Sequence, residues 1–267
     1  MKRILHRYRY STILLKQMVR SDFKLRYQGS VLGYIWSLLR PLALFVILYI
    51  VFTKFLKIGA TIPHYPVYLL LGIVLWNFFI EVTTGSVSII VSKGDLIRKI
   101  NFPKYVIILA GSFSALINLC INFIIILLFM YINHVDFRIS AMLLPLLIAE
   151  LFVFSLAVAF FLSAVFVRFR DVGYIWEVAT QGAFYATPIL YPLSLIPISA
   201  AKILMLNPMA QIIQDARFVM VTDQTQTINS IYNNPNARLI PIMTVIVIAI
   251  VASLYFRARS RFFAEEV

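Results

Sequence analysis

Six long apolar runs constrain this chain more than any other feature, because each run is long enough to cross a lipid bilayer. The hydrocarbon core is about 30 Å thick, which about 20 helical residues span. The fifth run, 172–190, is the least apolar of the six, because it carries Glu177, Gln181 and Gly182. The sequence therefore predicts an all-α membrane protein with six transmembrane helices. The six runs are 31–53, 67–91, 105–132, 141–167, 172–190 and 239–256.

The composition agrees with a chain that is solvated largely by lipid. Hydrophobic residues make up 61% of the 267 positions and charged residues 13%. The polar stretches are too short to bury a core of their own, so residues 1–267 are expected to form one transmembrane domain. The net charge is +13, but the cations lie at the ends of apolar runs, which argues against a nucleic-acid partner. Cys120 is the only cysteine and is expected to be a packing residue.

The distribution of lysine and arginine predicts how the chain is oriented in the membrane. Cytoplasmic loops carry an excess of these residues. Of the 24 cations, 17 lie in the two termini and two alternate loops, and six lie in the other loops. Both termini are therefore predicted to be cytoplasmic, in a multi-pass protein. The cation-rich segments are 1–30, 92–104, 168–171 and 257–261, and the others are 54–66, 133–140 and 191–238.

The segment 1–30 predicts an amphipathic helix that lies in the membrane interface before the first span. Its apolar residues recur at helical spacing from Leu14 to Phe23. A basic face of this kind approaches anionic headgroups. Two readings stay open, a plain anchor and a contact that grips a partner. The basic residues assigned to this interface helix are Lys16, Arg20, Lys24 and Arg26.

The segment 191–238 is too apolar for a solvated loop, although it is predicted to face outside. Prolines divide its first part into pieces of about ten residues, which are too short to span a bilayer. Irregular backbone at membrane depth is tolerated where protein or a water-filled cavity covers it. The segment is therefore predicted to form a re-entrant helical hairpin and a polar tip before the last span, 239–256, and the tail 257–267.

The stretch "SKGDLIRKINFPKY" between spans two and three predicts a short helix along the cytoplasmic surface. Asp95 can begin the helix, and Pro103 ends it because the residue before a proline avoids helical backbone. Leu96, Ile97 and Ile100 form an apolar side of the helix. Such a rod is fixed to spans at both of its ends, so a cytoplasmic partner that pushed on it would turn those spans.

The sequence carries no pattern that predicts an enzyme or a metal site. It has no G-x-x-x-x-G-K-[ST] loop for nucleotide phosphates, no H-E-x-x-H and no C-x-x-C. Its three histidines, His6, His64 and His134, all lie outside the spans and have no partner at metal spacing. The chain is thus expected to bind no metal or cofactor and to catalyse no reaction.

Four ionisable residues inside the predicted spans are candidates for function, because burying a charge in lipid is costly. They are Arg40, Glu81, Glu150 and Glu177. Arg40 and Glu81 lie at similar depths, about 13 Å and about 15 Å from the cytoplasmic ends of spans one and two. One reading pairs them with each other. The other turns Arg40 toward a substrate phosphate, which the forked guanidinium suits.

Aromatic clusters inside the spans are candidates for the wall of a passage, since sugar rings stack on aromatic faces. The alternative for each ring is lipid contact or core packing. The residues assigned to a substrate passage are Tyr34, Trp36, Arg40, Trp76, Phe78, Glu177, Phe184 and Tyr185.

Five motifs follow one another along the chain, namely "DFKLRYQGSVLGYIWSLLRPL" (22–42), "GDLIRKINFPK" (94–104), "VRFRDVGYIW" (167–176), "TPILYP" (187–192) and "NPMAQIIQDAR" (207–217). Together and in this order they resemble the permease subunit of type-2 ABC exporters of lipid-linked polysaccharides and teichoic acids. The resemblance covers nearly the whole chain and departs from the family pattern at Arg40, where an uncharged residue is common.

The resemblance implies a division of labour between this chain and other subunits. Two copies of the permease would form the passage, and two ATP-binding subunits beneath it would bind ATP and magnesium. The substrate would be a glycopolymer on a polyprenyl pyrophosphate, exported across the cytoplasmic membrane of a bacterium. Other readings remain, namely an ABC permease for drugs or small lipids, a secondary transporter, and a membrane scaffold that transports nothing.

The resemblance also assigns roles to residues in three places. The helix over 94–102 would couple to the ATP-binding subunit, the turn 168–171 would be a second contact, and the 191–220 hairpin would be an outer gate. The coupling residues are Asp95, Leu96, Ile97, Arg98, Lys99, Asn101, Phe102, Arg168, Arg170 and Asp171. The outer-gate residues are Pro188, Tyr191, Pro192, Asn207, Pro208 and Arg217.

Overall fold

The computed structural model describes residues 12–22, 33, 35–99 and 102–266. These residues are mostly helical, and none of them lies in a β-strand. The roles predicted for Lys24, Arg26, Tyr34 and Asn101 lie outside the described residues.

Thirteen α-helices occupy the described residues, with short turns of tighter or wider helix between some of them. The helices are α1 (12–22), α2 (Ile35–Ile50), α3 (Tyr65–Val87), α4 (Ile89–Ser92), α5 (Gly94–Lys99), α6 (Tyr105–Ile132), α7 (Leu144–Arg168), α8 (Val172–Ala186), α9 (Ile198–Leu204), α10 (Pro208–Met220), α11 (Ile228–Tyr232), α12 (Leu239–Arg259) and α13 (Phe263–Glu266). A π-helical turn follows α2 at Val51–Phe55, and 3₁₀ turns occupy Ile58–Thr61, Ile139–Leu143 and Leu193–Leu195.

Five helices in the described residues are long and apolar enough to cross a membrane. They are Ile35–Phe55, Tyr65–Val87, Tyr105–Ile132, Ile139–Arg168 and Leu239–Arg259. The expectation of six spans is therefore not confirmed. The helix at the fifth predicted span, α8, has 15 residues and a length of about 22 Å, which is shorter than the hydrocarbon core.

Helix α3 is the centre of the bundle, and it packs against α2, α6, α7, α8 and α10. Within its apolar window 78% of the residues are buried, whereas the share is between 11% and 33% in the other four spans. The faces that remain on those four helices are apolar and suit contact with lipid. Helix α12 packs mainly on α7 and closes the bundle on the side away from α2.

The sequence sets several helix ends by local chemistry. Pro66, Pro145 and Pro208 lie in the first turns of α3, α7 and α10, where the missing N–H of proline costs no hydrogen bond. The side chain of Asn207 caps α10 by accepting a hydrogen bond from Met209 N at 3.0 Å. Asn233 ends α11 in the left-handed conformation, with φ at 50°.

The segment predicted as a hairpin contains two helices, α9 and α10, joined by residues 205–207. Helix α10 packs against α3, α7 and α12 inside the bundle, so this part of the segment is not a solvated loop. Whether the pair enters the membrane stays a prediction. The region of 222–238 that was expected to be a polar tip contains the short helix α11, which packs on α9.

Helix α5 lies at one end of the bundle and is held from two sides. Its residues Asp95, Arg98 and Lys99 are exposed, whereas Ile97 is buried. On one side, Asp22 at the end of α1 forms an ion pair with Lys93, 3.5 Å apart, just before α5. The helix is thus amphipathic, as predicted, but it ends at Lys99 within the described residues.

On the other side, helix α13 packs against both α5 and α7. The ring of Phe263 is fully buried and meets the ring of Phe256 at 5.5 Å between centroids. Phe256 in turn packs on Phe160 of α7 at 4.9 Å. Three rings therefore form a continuous path from α13 through α12 to α7.

Candidate functional site

A cavity of about 530 Å³ lies among α2, α3 and α6, and several polar side chains enter its largely apolar wall. Its walls combine one cation, one carboxylate and three amides with aromatic and small residues. The Glu81 carboxylate accepts a hydrogen bond from Asn118 Nδ2 at 2.8 Å, and Asn122 Nδ2 donates to the carbonyl of Asn118 at 2.9 Å. The lining residues are Trp36, Ser37, Arg40, Pro41, Val74, Asn77, Phe78, Ile80, Glu81, Thr84, Gly85, Asn118, Leu119 and Asn122.

The cavity brings together three residues that were predicted to line a passage, Trp36, Arg40 and Phe78. Arg40 and Glu81 share this cavity, and Asn118 is a hydrogen-bond partner of Glu81. Asn118 was missed, along with Asn77 and Asn122. Amides inside apolar helices were the available signal, because a buried amide in lipid needs a partner on a neighbouring helix.

Two other predicted passage residues pack inside the chain. Trp76 is 5% exposed, and its ring contacts Phe79 and Phe184 with centroid distances of 5.6 and 5.9 Å. Phe184 is half-buried beside it. Within this chain Trp76 is therefore a core residue, since α3 is the buried central helix. The sequence could not show this, because apolar and aromatic residues occur on every face of α3 and do not single out a core side around Trp76.

Helix α8 presents a polar and aromatic stripe on its exposed face. The stripe is formed by Tyr174, Glu177, Gln181 and Tyr185, which recur at helical spacing and are all exposed. Its buried side is fixed by Trp176, whose Nε1 donates to Thr83 Oγ1 at 3.3 Å. A carboxylate and an amide are costly against hydrocarbon, so this face suits water or another protein surface better than lipid.

Arg217 is the most deeply buried cation among the described residues, with 0% of its surface exposed. Its guanidinium donates to the carbonyls of Tyr68 (Nε, 3.0 Å), Pro188 (Nη1, 2.6 Å) and Ile189 (Nη2, 2.6 Å). It also lies 3.6 Å from the centroid of the Tyr68 ring. Arg217 therefore joins α10 to α3 and to the chain that follows α8.

The glycine at position 72 makes room for this guanidinium. A Cβ at Gly72 would lie 2.5 Å from Arg217 Nη2 and 3.3 Å from Ile189 Cγ2. The other predicted outer-gate residues lie in two places: Tyr191 and Pro192 follow the segment that binds Arg217, whereas Asn207 and Pro208 lie at the opposite end of α10. Tyr191 Oη donates to the carbonyl of Tyr185 at 3.0 Å, Pro192 precedes the 3₁₀ turn at Leu193–Leu195, and Asn207 and Pro208 begin α10.

A second buried polar network joins α10 to the start of α12, and it was not predicted from the sequence. Arg238 Nε lies 2.9 Å from Asp215 Oδ2, to which Gln211 Nε2 donates at 2.6 Å. Burial raises the pKa of the Asp215 carboxyl above its ordinary value, and the Arg238 charge and the Gln211 hydrogen bond oppose that shift. The pair holds the two ends of the 216–237 segment together.

The predicted second contact, at 168–171, lies at the junction of α7 and α8. Arg168, Arg170 and Asp171 are all exposed. Each arginine stacks on a neighbouring ring, Arg168 on Phe169 at 5.5 Å and Arg170 on Phe166 at 5.3 Å. These stacked guanidinium groups keep their hydrogen-bond donors available to a partner.

These features together define a multi-pass helical membrane protein with polar groups buried between its spans and short helices at both ends of the bundle. The chain belongs to the ABC-2 type transporter family, whose sequence model matches residues 13–221. It is similar to an O-antigen export system permease protein, RfbA, of Myxococcus xanthus, at 30% identity over 97% of both chains. It is also 29% identical to RfbA of Klebsiella pneumoniae over 75% of this chain and 77% of that protein.

Proposed function

We propose that this chain is the membrane-spanning subunit of an ATP-driven exporter that moves a lipid-linked surface polysaccharide out of a bacterial cell. The observation that carries the proposal is the similarity to an O-antigen export permease along 97% of both chains. A polyprenyl pyrophosphate carrier and a teichoic acid cargo both fit the motifs of the sequence. The relatives' names favour polysaccharide.

The passage is proposed to lie between two copies of the chain. The stripe on α8 supports this, because its tyrosines can stack sugar rings while Glu177 and Gln181 bind hydroxyl groups. Helix α2 adds exposed Ile35 and Trp36, which are 52% and 53% exposed in the single chain. A second copy that covered α2 and α8 would bury these apolar surfaces and leave the stripe facing water.

The energy is proposed to come from two ATP-binding subunits that bind ATP and magnesium beneath the passage. The sequence has no phosphate-binding loop of its own. With both termini cytoplasmic, α5 and the 168–171 turn face these subunits. When ATP draws the two subunits together, α5 moves, and the spans on either side of it open the passage to the carrier lipid.

Export by this mechanism ends at the opposite end of the bundle, where α9, α10 and the chain after α8 are proposed to gate the exit. The buried Arg217 supports a gate whose inner end is fastened to the central helix, because one side chain joins α10, the chain after α8 and α3. Arg40 lines a cavity near the entry side and is proposed to meet the pyrophosphate of the carrier.

The proposal is tested by purifying the chain with its ATP-binding subunit and measuring ATP hydrolysis with added substrates. Lipid-linked polysaccharide is expected to raise the hydrolysis rate, and deletion of this chain is expected to leave that glycolipid accumulated in the cytoplasm. Stimulation of ATP hydrolysis by teichoic acid precursors alone would identify teichoic acid, not polysaccharide, as the cargo. Stimulation by small amphipathic compounds alone, with no glycolipid accumulation, would contradict polysaccharide export.

The proposed passage predicts that the α8 stripe is in contact with water. In a Cys120→Ala background, Gln181→Cys is expected to react with a membrane-impermeant maleimide at least about tenfold faster than a cysteine that faces lipid. Val247→Cys on α12 is the matched control, since position 247 is also exposed in the single chain. Equal rates at 181 and 247 would place the stripe in lipid and contradict the passage.

A further inference from the structure

An apolar groove of about 980 Å³ separates α1 from the middle of α6. Helix α1 is held over α6 by Leu14, Leu15 and Met18, which pack against the core. The groove has a large opening to the surroundings of the protein, and six of its residues come from α6. The lining residues are Leu15, Lys16, Val19, Arg20, Phe113, Leu116, Ile117, Cys120, Ile121 and Ile124.

Cys120 corrects a prediction, because it is exposed in this groove instead of packed in the core. Ile124 is 66% exposed and Phe113 is 37% exposed on the same wall. This wall of α6 therefore offers hydrocarbon contact to whatever lies under α1.

The charged groups of the groove are all basic among the residues that the structure describes. Lys16 and Arg20 are four residues apart on α1, so they share one face of the helix, and both are exposed. Asp22, the nearest acid on α1, is paired with Lys93 outside the groove. The groove thus combines a long apolar wall with two cations on one edge.

The length of α6 places this groove at the boundary between hydrocarbon and headgroups. The helix has 28 residues and is about 42 Å long, which exceeds the hydrocarbon core by about 12 Å. Phe113 is eight residues from Tyr105, a rise of about 12 Å. We take the excess to lie at the Tyr105 end, next to α5, where the predicted cytoplasmic cations cluster, so that the apolar wall begins where the hydrocarbon begins and the cations of α1 are expected at headgroup level.

We propose that the groove binds an anionic glycerophospholipid of the surrounding leaflet. One acyl chain lies along Ile117, Cys120 and Ile124, and the phosphate and the second negative group of the lipid meet Lys16 and Arg20. The occupant follows from charge complementarity and from the apolar wall. The acyl chain of a zwitterionic lipid can pack against the same wall, but the cationic group of its headgroup is repelled by Lys16 and Arg20.

A lipid bound in this groove is connected to α5, the predicted coupling helix, through a short series of contacts. A bound lipid holds α1 in place, and α1 is tied by Asp22 to Lys93, which directly precedes α5. We therefore expect the lipid to set how firmly α5 is held. This last step rests on the proposed function, whereas the binding of the lipid does not.

The binding is tested with the full chain in phosphatidylcholine vesicles, using Phe113→Trp as a reporter and acyl chains that carry a quencher. Quencher-labelled phosphatidylglycerol is expected to quench the added tryptophan at lower mole fraction than labelled phosphatidylcholine does. Lys16→Gln and Arg20→Gln are each expected to reduce this preference about fivefold, since each cation contributes independently near an anionic group. The parent chain supplies the signal of Trp36, Trp76 and Trp176 for subtraction.

A charge-matched control is Lys54→Gln with Lys57→Gln, which removes two exposed cations beyond α2 and is expected to leave the preference unchanged. A second readout needs no reporter: phosphatidylglycerol retained per chain after purification falls in the Lys16/Arg20 double variant and not in the control. Equal quenching by both lipids in the reporter chain would overturn the proposal. Displacement of phosphatidylglycerol by polyprenyl phosphate at far lower mole fraction would assign the groove to the carrier lipid instead.

Discussion

Lysine in place of Arg217 is expected to destabilise the folded chain by about 3–5 kcal/mol, although the charge is kept. The guanidinium reaches three carbonyls in two separate segments, which a single ammonium group cannot span. At least one buried carbonyl then loses its donor, at about 1–3 kcal/mol for each carbonyl. A further cost follows from the lost contact with the Tyr68 ring. Thermal unfolding in detergent is expected to shift down by roughly 10 °C.

Arg138→Lys is the matched control, because Arg138 forms a partly exposed ion pair with Asp223 and such pairs contribute about 0–1 kcal/mol. A second pair of variants tests whether the guanidinium of Arg217 fills the space next to Gly72. Gly72→Ala drives a Cβ against Nη2 and is expected to cost about 1–3 kcal/mol, whereas Gly85→Ala on the same helix meets no atom within 4 Å. Equal stability of the two alanine variants would show that Arg217 is not held as described.

Reversal of the charges on α5 is expected to abolish export while the chain still folds. Asp95→Arg with Arg98→Glu leaves the net charge unchanged and touches only exposed side chains. If the ATP-binding subunit docks on this face, like charges then oppose each other across the contact, at a cost of several kcal/mol. Export and substrate-stimulated ATP hydrolysis are both expected to fall at least about tenfold, with yield and unfolding temperature unchanged.

The matched control reverses a surface ion pair at the far end of the bundle, Arg138→Asp with Asp223→Arg, whose atoms lie 3.3 Å apart. This swap keeps the charges and the pair but lies away from α5, so export is expected to continue. Full export by the α5 variant would refute the coupling role of that helix, whatever the cargo of the transporter is.

The apolar runs and the residues that begin or end helices predicted much of the architecture. The apolar runs located four of the five spans to within a few residues at most ends, and the first run begins four residues before α2. The prolines predicted short helical pieces in the 191–220 region, and α10 begins at Pro208, because a first-turn proline acts locally. The amphipathic α5 was also visible, since its pattern needs no information about distant residues.

The features that the sequence did not reveal depend on interactions between segments that are far apart in the chain. The α8 run looked like a span by composition, and in the structure the helix stops at Ala186, where the chain turns and its carbonyls accept hydrogen bonds from Arg217. The burial of Trp76 was also hidden, because it depends on α3 being the central helix, which is decided by packing across the whole bundle. The passage role of Trp76 stays a prediction.

The contacts of α13 have a mechanical consequence for the whole subunit. Because α13 packs against α5 and its buried Phe263 continues the ring path to Phe160, a displacement of α5 on its own would open a void in a close-packed interior. If ATP-binding subunits press on α5 as proposed, the displacement would be shared between α7 and α12 on one side and the spans α3 and α6 on the other. Both pairs of helices would then tilt together.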